Sequence, residues 1–245
     1  MSVTDTEIVA RLVEIDRSDN IQVMLYATKG YAGMKTVTID PKLTQVSPQA
    51  GSKAGTEITF TTVGIGKNDE ISSSLAGDVV SRTYTSVTFK TKAKNAHITK
   101  AAVTISVNGG SNIACENADS SLCEFETTDA LTPKVTSSSF SGSTLTLSGS
   151  DIPTDADSIK VVYGEQTDSA ATSTSSAITA TIIDVPGTIT PEVEVVYSDR
   201  KLWADVSSGA SVTTALTVSS STATTCSFGG GCELEITASG IDTLV

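Results

Sequence analysis

Four cysteines, one histidine, one tryptophan and a short run of carboxylates are the residues of this chain best equipped to do chemistry. Cys115 and Cys123 are 8 residues apart and Cys226 and Cys232 are 6 apart. Each pair can bridge a turn or hairpin, and two local disulfides would place the chain in an oxidising compartment. The rival reading is a four-cysteine zinc site, but no C-x-x-C occurs and the pairs are far apart. His97, the only histidine, lies in Lys94-Asn95-Ala96-His97-Ile98 and reads as a polar turn. A Ser-His-Asp or Cys-His machine needs its base within hydrogen-bond reach of a nucleophile, and nothing in the pattern assembles one. The expectation is a protein that is not an enzyme and needs no cofactor.

The loop Asp151-Ile152-Pro153-Thr154-Asp155-Ala156-Asp157 brings three carboxylates together, the ligand type of calcium, with Asp69 and Glu70 as a partial echo. The spacing is not that of an EF-hand, and the loop reads as solvated. Trp203 and Tyr197 could form a sugar-stacking platform, the possible ligand contact of this chain; the plainer reading of a lone tryptophan late in a β segment is packing. None of Asn20, Asn68, Asn95, Asn108, Asn112 and Asn117 begins an Asn-x-Ser/Thr acceptor, whereas the Ser/Thr runs 172–176 and 219–225 could carry O-glycans. Gly229-Gly230-Gly231 precedes a strand pattern rather than a helix, so it is no phosphate cradle.

The elements that must hold these residues show up as a spaced signature. Gly55-x-x-Ile58-x-Phe60-x-x-x-x-Ile65 recurs as Gly142-x-x-Leu145-x-Leu147-x-x-x-x-Ile152 and as Gly231-x-x-Leu234-x-Ile236-x-x-x-x-Ile241. The glycines lie 142 − 55 = 87 and 231 − 142 = 89 residues apart, the size of a small domain strung in tandem. Alternating segments recur late in each unit: Ile178–Ile182 then Glu192–Tyr197, Val87–Phe89 then Ala102–Val107, and Ile8–Leu12 then Ile21–Tyr26. Each set reads as two strands joined by a polar turn. The expected division is 1–42 as the closing part of one unit, 43–132 and 133–215 as whole units, and 216–245 as the opening part of another. Seams at Leu43–Val46, Leu131–Val135 and Leu216–Val218 leave short linkers, which predict a stiff rod.

Composition supports this. The chain of 245 residues has 18% charged and 4% aromatic residues, a net charge of −12 and a mean hydropathy of +0.06. It is too apolar for disorder and too acidic to favour phosphate backbones or anionic lipid. Nucleic acid is thus not an expected partner, and Lys90, Lys92, Lys94 and Lys100 read as a solvated strand face and turn. No run reaches the roughly 18 apolar residues of a membrane span. Asp5, Glu7, Arg11 and Glu14 interrupt any apolar leader, so the chain is expected to be an internal piece of a longer one.

Val46-Ser47-Pro48-Gln49-Ala50-Gly51-Ser52-Lys53-Ala54-Gly55-Thr56-Glu57-Ile58-Thr59-Phe60 resembles the opening of IPT/TIG domains, with its Ser-Pro turn, Gly-Ser and Gly-Thr-x-Leu-Thr-Ile. Cys226–Ile236 is a second version; Ser139-Phe140-Ser141-Gly142-Ser143 departs from it by lacking the Pro turn. The resemblance implies tandem immunoglobulin-like β-sandwiches, an all-β fold, used for spacing, adhesion and ligand contact. The expected role is an extracellular, cell-surface structural or adhesive rod or fibre whose partners are neighbouring copies or other surface proteins. The alternative is a ligand- or carbohydrate-binding ectodomain of a receptor. The family's DNA-gripping branch does not suit this acidity.

Overall fold

Val, Ile and Thr alternating with Ser and Asp favour extended chain, because branched Cβ atoms pack on a pleated surface. The computed structural model is accordingly all-β. It describes residues 2–3, 8–9, 20–27, 30–75, 77–91, 98–183, 185–215, 217–221 and 236–239. Helix among the described residues is confined to two short 3-10 turns, Ser120–Cys123 and Ser208–Ala210. Among the described residues no helix is long and apolar enough to cross a membrane. The chain divides into two units, Met1–Thr128 and Asp129–Val245.

The first unit begins with a short antiparallel pair, β1 (Ser2–Val3) with β2 (Ile8–Val9), and a hairpin, β3 (Ile21–Ala27) with β4 (Gly30–Val37). Then follow β5 (Lys42–Ser47), β6 (Ala50–Ser52), β7 (Glu57–Val63), β8 (Ile71–Ser73), β9 (Gly77–Arg82), β10 (Ser86–Thr91), β11 (Ala101–Ala102), β12 (Ile105–Val107) and β13 (Glu124–Thr128). One antiparallel sheet has the order β5-β7-β10-β9; facing it are β8 with β12 and the set β11-β13-β6, in which β13 and β6 run parallel. The chain crosses from the first sheet to the second through a cis Ser47–Pro48 bond between β5 and β6. Leu43, Val46, Ile58, Phe60, Ile65, Phe89, Ile105 and Phe125 fill the space between, with the Phe60 and Phe89 rings 4.9 Å apart.

The second unit runs β14 (Lys134–Ser141), β15 (Thr144–Ser150), β16 (Ser158–Tyr163), β17 (Gln166–Thr174), β18 (Ala177–Thr181), β19 (Gly187–Ile189), β20 (Glu192–Val196), β21 (Lys201–Trp203), β22 (Asp205–Val206) and β23 (Val212–Thr214). Here one sheet of eight strands has the order β21-β20-β16-β17-β18-β15-β14-β22. Its edges, β21 and β22, flank Ala204 and are consecutive pieces of chain, so the sheet rolls around its core until it meets itself. The corner is β17, whose Gln166–Ala171 part pairs with β16 and whose Thr172–Thr174 part pairs with β18. Asp168 fastens it by accepting from Thr181 N at 2.7 Å and Ala170 N at 2.8 Å.

The signature positions go where alternation sends them. Ile58, Phe60, Ile65, Leu145, Leu147 and Ile152 are all at or below 4% exposure. Gly55 and Gly142 take φ of 138° and 61°, which a side chain would resist. A third opening hairpin, β24 (Thr217–Ser221) with β25 (Ile236–Ser239), follows the same plan. The register of the opening pair shifts between Leu43 and Gln45, between Val135 and Ser137, and between Val218 and Ser220. Each shift faces the step six to seven residues after the signature glycine: Thr61 to Thr62, Ser148 to Gly149, and Thr237 to Ala238. The late segments differ from a simple strand-turn-strand: β10 and β12, like β18 and β20, are not hydrogen-bonded neighbours, because the chain crosses the core between them.

Candidate functional site

The sequence candidates scatter. Cys115 and Cys123 are joined, with Cα atoms 5.8 Å apart. Cys123 is buried in the core, and Cys115 runs parallel to Leu43 on the open edge of β5. Glu116 N donates to Leu43 O (2.8 Å), Asn117 Nδ2 to Thr44 O (3.0 Å), and Lys42 Nζ pairs with Glu116 at 2.5 Å. That carboxylate holds the Lys42 ammonium above its ordinary pKa. The bridge therefore straps a long loop over a sheet edge that would otherwise present bare backbone. Cys226, Cys232 and His97 lie outside the described residues, as do Lys92 and Lys94. Lys100 pairs with Glu124 at 3.1 Å.

Trp203 is 6% exposed, so its indole offers no ring face to a sugar; the ligand contact expected there is corrected to a packed side chain. Tyr197 is half-buried, and the Arg200 guanidinium stands 4.7 Å from its ring centre. That face is taken by a cation–π contact. Burial pushes the Tyr197 hydroxyl up in pKa, helped by the charge of Asp155. Around 151–157 no metal cage forms: among the described residues no three His, Cys, Asp or Glu side chains gather to hold an ion. Asp151, at φ 56°, accepts instead from Ser150 Oγ at 3.0 Å.

Asp69, the partial echo of that loop, is a buried carboxylate with a structural role. Its Oδ2 accepts from Gly66 N (2.6 Å) and its Oδ1 from Asn108 Nδ2 (2.8 Å). Asn108 closes the link to the next strand, accepting from Glu70 N (2.9 Å) and donating its own N–H to Glu70 O (2.7 Å). This network fixes the loop after β7, and the fixed loop orients a cation: Arg82 Nη1 donates to Lys67 O at 3.3 Å and to Asp69 O.

Lys67, Arg82, Thr83 and Tyr84 line an open cleft of about 280 Å³ at this end of the first unit. Two cations, a threonine and a half-buried tyrosine thus stand around one open depression, with Arg82 Nη1 already held by the carbonyls of Lys67 and Asp69. Sequence reasoning missed it, since Lys67 and Arg82 lie on separate elements and meet only through backbone carbonyls.

No family model matches the chain, and no curated protein matches it. Among solved structures it is similar to a surface glycan-binding protein of the Bacteroides ovatus mixed-linkage glucan utilization locus, in complex with a heptasaccharide. That match has 15% identity and a TM-score of 0.25, covering 94% of this chain and 62% of that one. A surface glycan-binding protein from Prevotella bryantii matches at 14% identity and a TM-score of 0.26, covering 67% and 41%. A chimeric titin Z1Z2 matches at 14% identity and a TM-score of 0.25, covering 70% and 98%. The chain thus spans less than two thirds of the two glycan-binding proteins. At these scores the likeness carries no functional argument.

Proposed function

We propose that this chain is a non-enzymatic structural or adhesive protein of the cell exterior, built from tandem immunoglobulin-like sandwiches of the IPT/TIG type. Residues 43–132 and 133–215 are the whole units; 1–42 and 216–245 are a closing and an opening part. The observation that carries the reading is the signature. One glycine-led pattern, repeated at domain spacing, buries its apolar positions in two separate cores and sets the same register in three opening hairpins. The disulfide strap suits an oxidising exterior. Pulling the chain by its ends tests this. Two separate unfolding steps are expected, one lengthening when Cys115–Cys123 is reduced. A single step for the whole chain overturns the reading, and labelling that finds the protein only inside cells overturns its location.

A second reading, a saccharide-binding ectodomain, is favoured by the Lys67–Arg82–Thr83–Tyr84 cleft alone. Its ligand would be an acidic saccharide whose carboxylate or sulfate meets Lys67 and Arg82. A panel of uronate and sulfated oligosaccharides tests it: binding that falls with salt and is lost in Arg82→Ala supports the reading. Binding confined to neutral glycans, or none, removes it.

A further inference from the structure

The Cys115–Cys123 bridge ties together two unlike places. Cys123 is fully buried at the end of the 3-10 turn that leads into β13, and it belongs to the core of the first unit. Cys115 is only half-buried and lies at the rim, bridged in parallel to Leu43 of β5, the terminal strand of its sheet. The chain on either side of this strap is held by other bonds. Before it, Ile113 N donates to Ile105 O at 2.7 Å and Ile105 N donates to Ile113 O at 3.1 Å. After it, Asp119 caps the turn, Gln49 Nε2 donates to Ser121 O, and Val103 N donates to Cys123 O at 2.8 Å. Both anchors draw on buried residues, for Val103, Ile105 and Cys123 are at or below 1% exposure.

Residues 114–118, between those anchors, have little hold of their own. Ala114, Glu116 and Ala118 are exposed. Besides the bridge, their polar ties to β5 are Glu116 N on Leu43 O, Asn117 Nδ2 on Thr44 O and the Lys42–Glu116 ion pair, whose side chains are 45% and 48% exposed. Water competes for each of these, and an ion pair so exposed adds little. Fixing that stretch of backbone costs more than such contacts return. The bridge shifts the balance, because it keeps Cys115 beside the core whether or not the polar contacts are made.

We infer that Cys115–Cys123 is a redox latch: reduction releases residues 114–118 from β5 and bares the carbonyls of Leu43 and Thr44, while the core of the first unit stays folded. The electrons come from an external dithiol. Its thiolate attacks Cys115 Sγ, the end nearer solvent; the S–S bond breaks, and Cys123 leaves as a thiolate that takes up a proton. The reagent's second thiol then displaces Cys115 from the mixed disulfide. The reagent ends as a disulfide and the protein gains two electrons and two protons. Cys123 keeps its place in the core as a small apolar side chain, and Cys115 leaves with the strap. The product is a folded unit with an open sheet edge, the surface that the oxidised form hides.

Amide hydrogen exchange of the 245-residue chain, with and without dithiothreitol, tests the latch. The Glu116 amide should exchange at least about tenfold faster after reduction. The amides of Val103, Ile105 and Ile113 should stay protected, falling no further than the shared drop in global stability. Cys115→Ser with Cys123→Ala leaves Cys226 and Cys232 in place and should reproduce the open strap without reductant. Equal protection of Glu116 in the oxidised and reduced chains would overturn the inference. So would Glu116 and Ile113 exchanging together after reduction, since the bridge would then be a staple for the whole unit. A response of Glu116 to dithiothreitol that persists in the double variant would place the cause elsewhere, and overturns it too.

Discussion

Between Lys42 and Thr128 the chain keeps three separate sheets and ties a loop across the β5 edge with Cys115–Cys123, whereas between Lys134 and Val206 an eight-stranded sheet rolls around until its edges meet. Both begin from the same glycine-led hairpin. They part company at the closing end. The first unit inserts residues 108–123 between β12 and β13; the second turns through 197–200, where Tyr197 N donates to Arg200 O at 2.8 Å. A short turn keeps β20 and β21 paired and lets the strand continue into β22. A long loop cannot, and small domains have little apolar surplus to hold one down. The cysteine bridge offsets that cost in the unit that has the loop.

If the two cores are independent, damage to one should leave the other intact. Phe60→Ala removes a fully buried ring stacked near Phe89, and Leu147→Ala removes the residue at the same signature position in the second unit. Losses of about 3–5 and 2–5 kcal/mol are expected, each confined to its own unfolding transition. Calorimetry that shows both transitions moving together would make the two cores one cooperative body.

The register position seven after the signature glycine separates the units more finely. Gly149 fills it in the second unit, and a Cβ there would sit 1.7 Å from Lys134 O, a backbone atom that cannot turn aside. Gly149→Ala should therefore cost about 3 kcal/mol through forced separation of β14 and β15. Thr62 fills the same position in the first unit, and its buried hydroxyl has no hydrogen-bond partner. Thr62→Val keeps the shape and deletes the unpaired group, so it should stabilise that unit by about 1 kcal/mol. Denaturant titration of both variants checks the opposite signs.

Replacing Cys115 and Cys123 together by Ser sharpens the contrast in closure. An 8-residue separation predicts a loss of roughly 2–3 kcal/mol in the first unit and none in the second. Reductant on the wild type should give the same split, read from the two transitions.

What a linear pattern carries is local, and that divides the legible from the hidden. Glycines with φ > 0, apolar residues at fixed offsets and two cysteines one loop apart are local, so the β fold and the positions filling its cores could be read from Gly55–Ile65 and Gly142–Ile152. The corner in β17 could not. It depends on Asp168 meeting Thr181 N, and Ala170, Ala171 and the threonines around them carry no apolar period. The cleft was hidden for the same reason: Arg82 is aimed by the carbonyls of Lys67 and Asp69, and Asp69 by Asn108 on a third element. Trp203 was ambiguous because its residue type suits packing and sugar stacking alike; only the tertiary structure shows that it is buried, as is Leu202 beside it.

The smallest expected difference lies in acid. Asp119 caps the 3-10 turn before Cys123, its Oδ1 accepting from Ser121 Oγ at 2.6 Å and from Ser121 N at 3.1 Å. Those bonds hold its carboxyl below the ordinary carboxylate value. A carboxyl depressed in the folded state binds its proton less readily there than in the unfolded chain. Its contribution is present above the unfolded pKa of about 3.9 and is lost as pH falls through the folded value. The turn before β13 should loosen in that window, and the second unit has no counterpart to this cap at its 197–200 turn. Asp119→Asn keeps an acceptor for Ser121 but cannot titrate, so the acid slope of the first transition should be shallower in the variant than in the wild type. Equal slopes, or an Asp119 carboxyl that titrates at the ordinary value by NMR, would remove the cap from the account of how the strap is held.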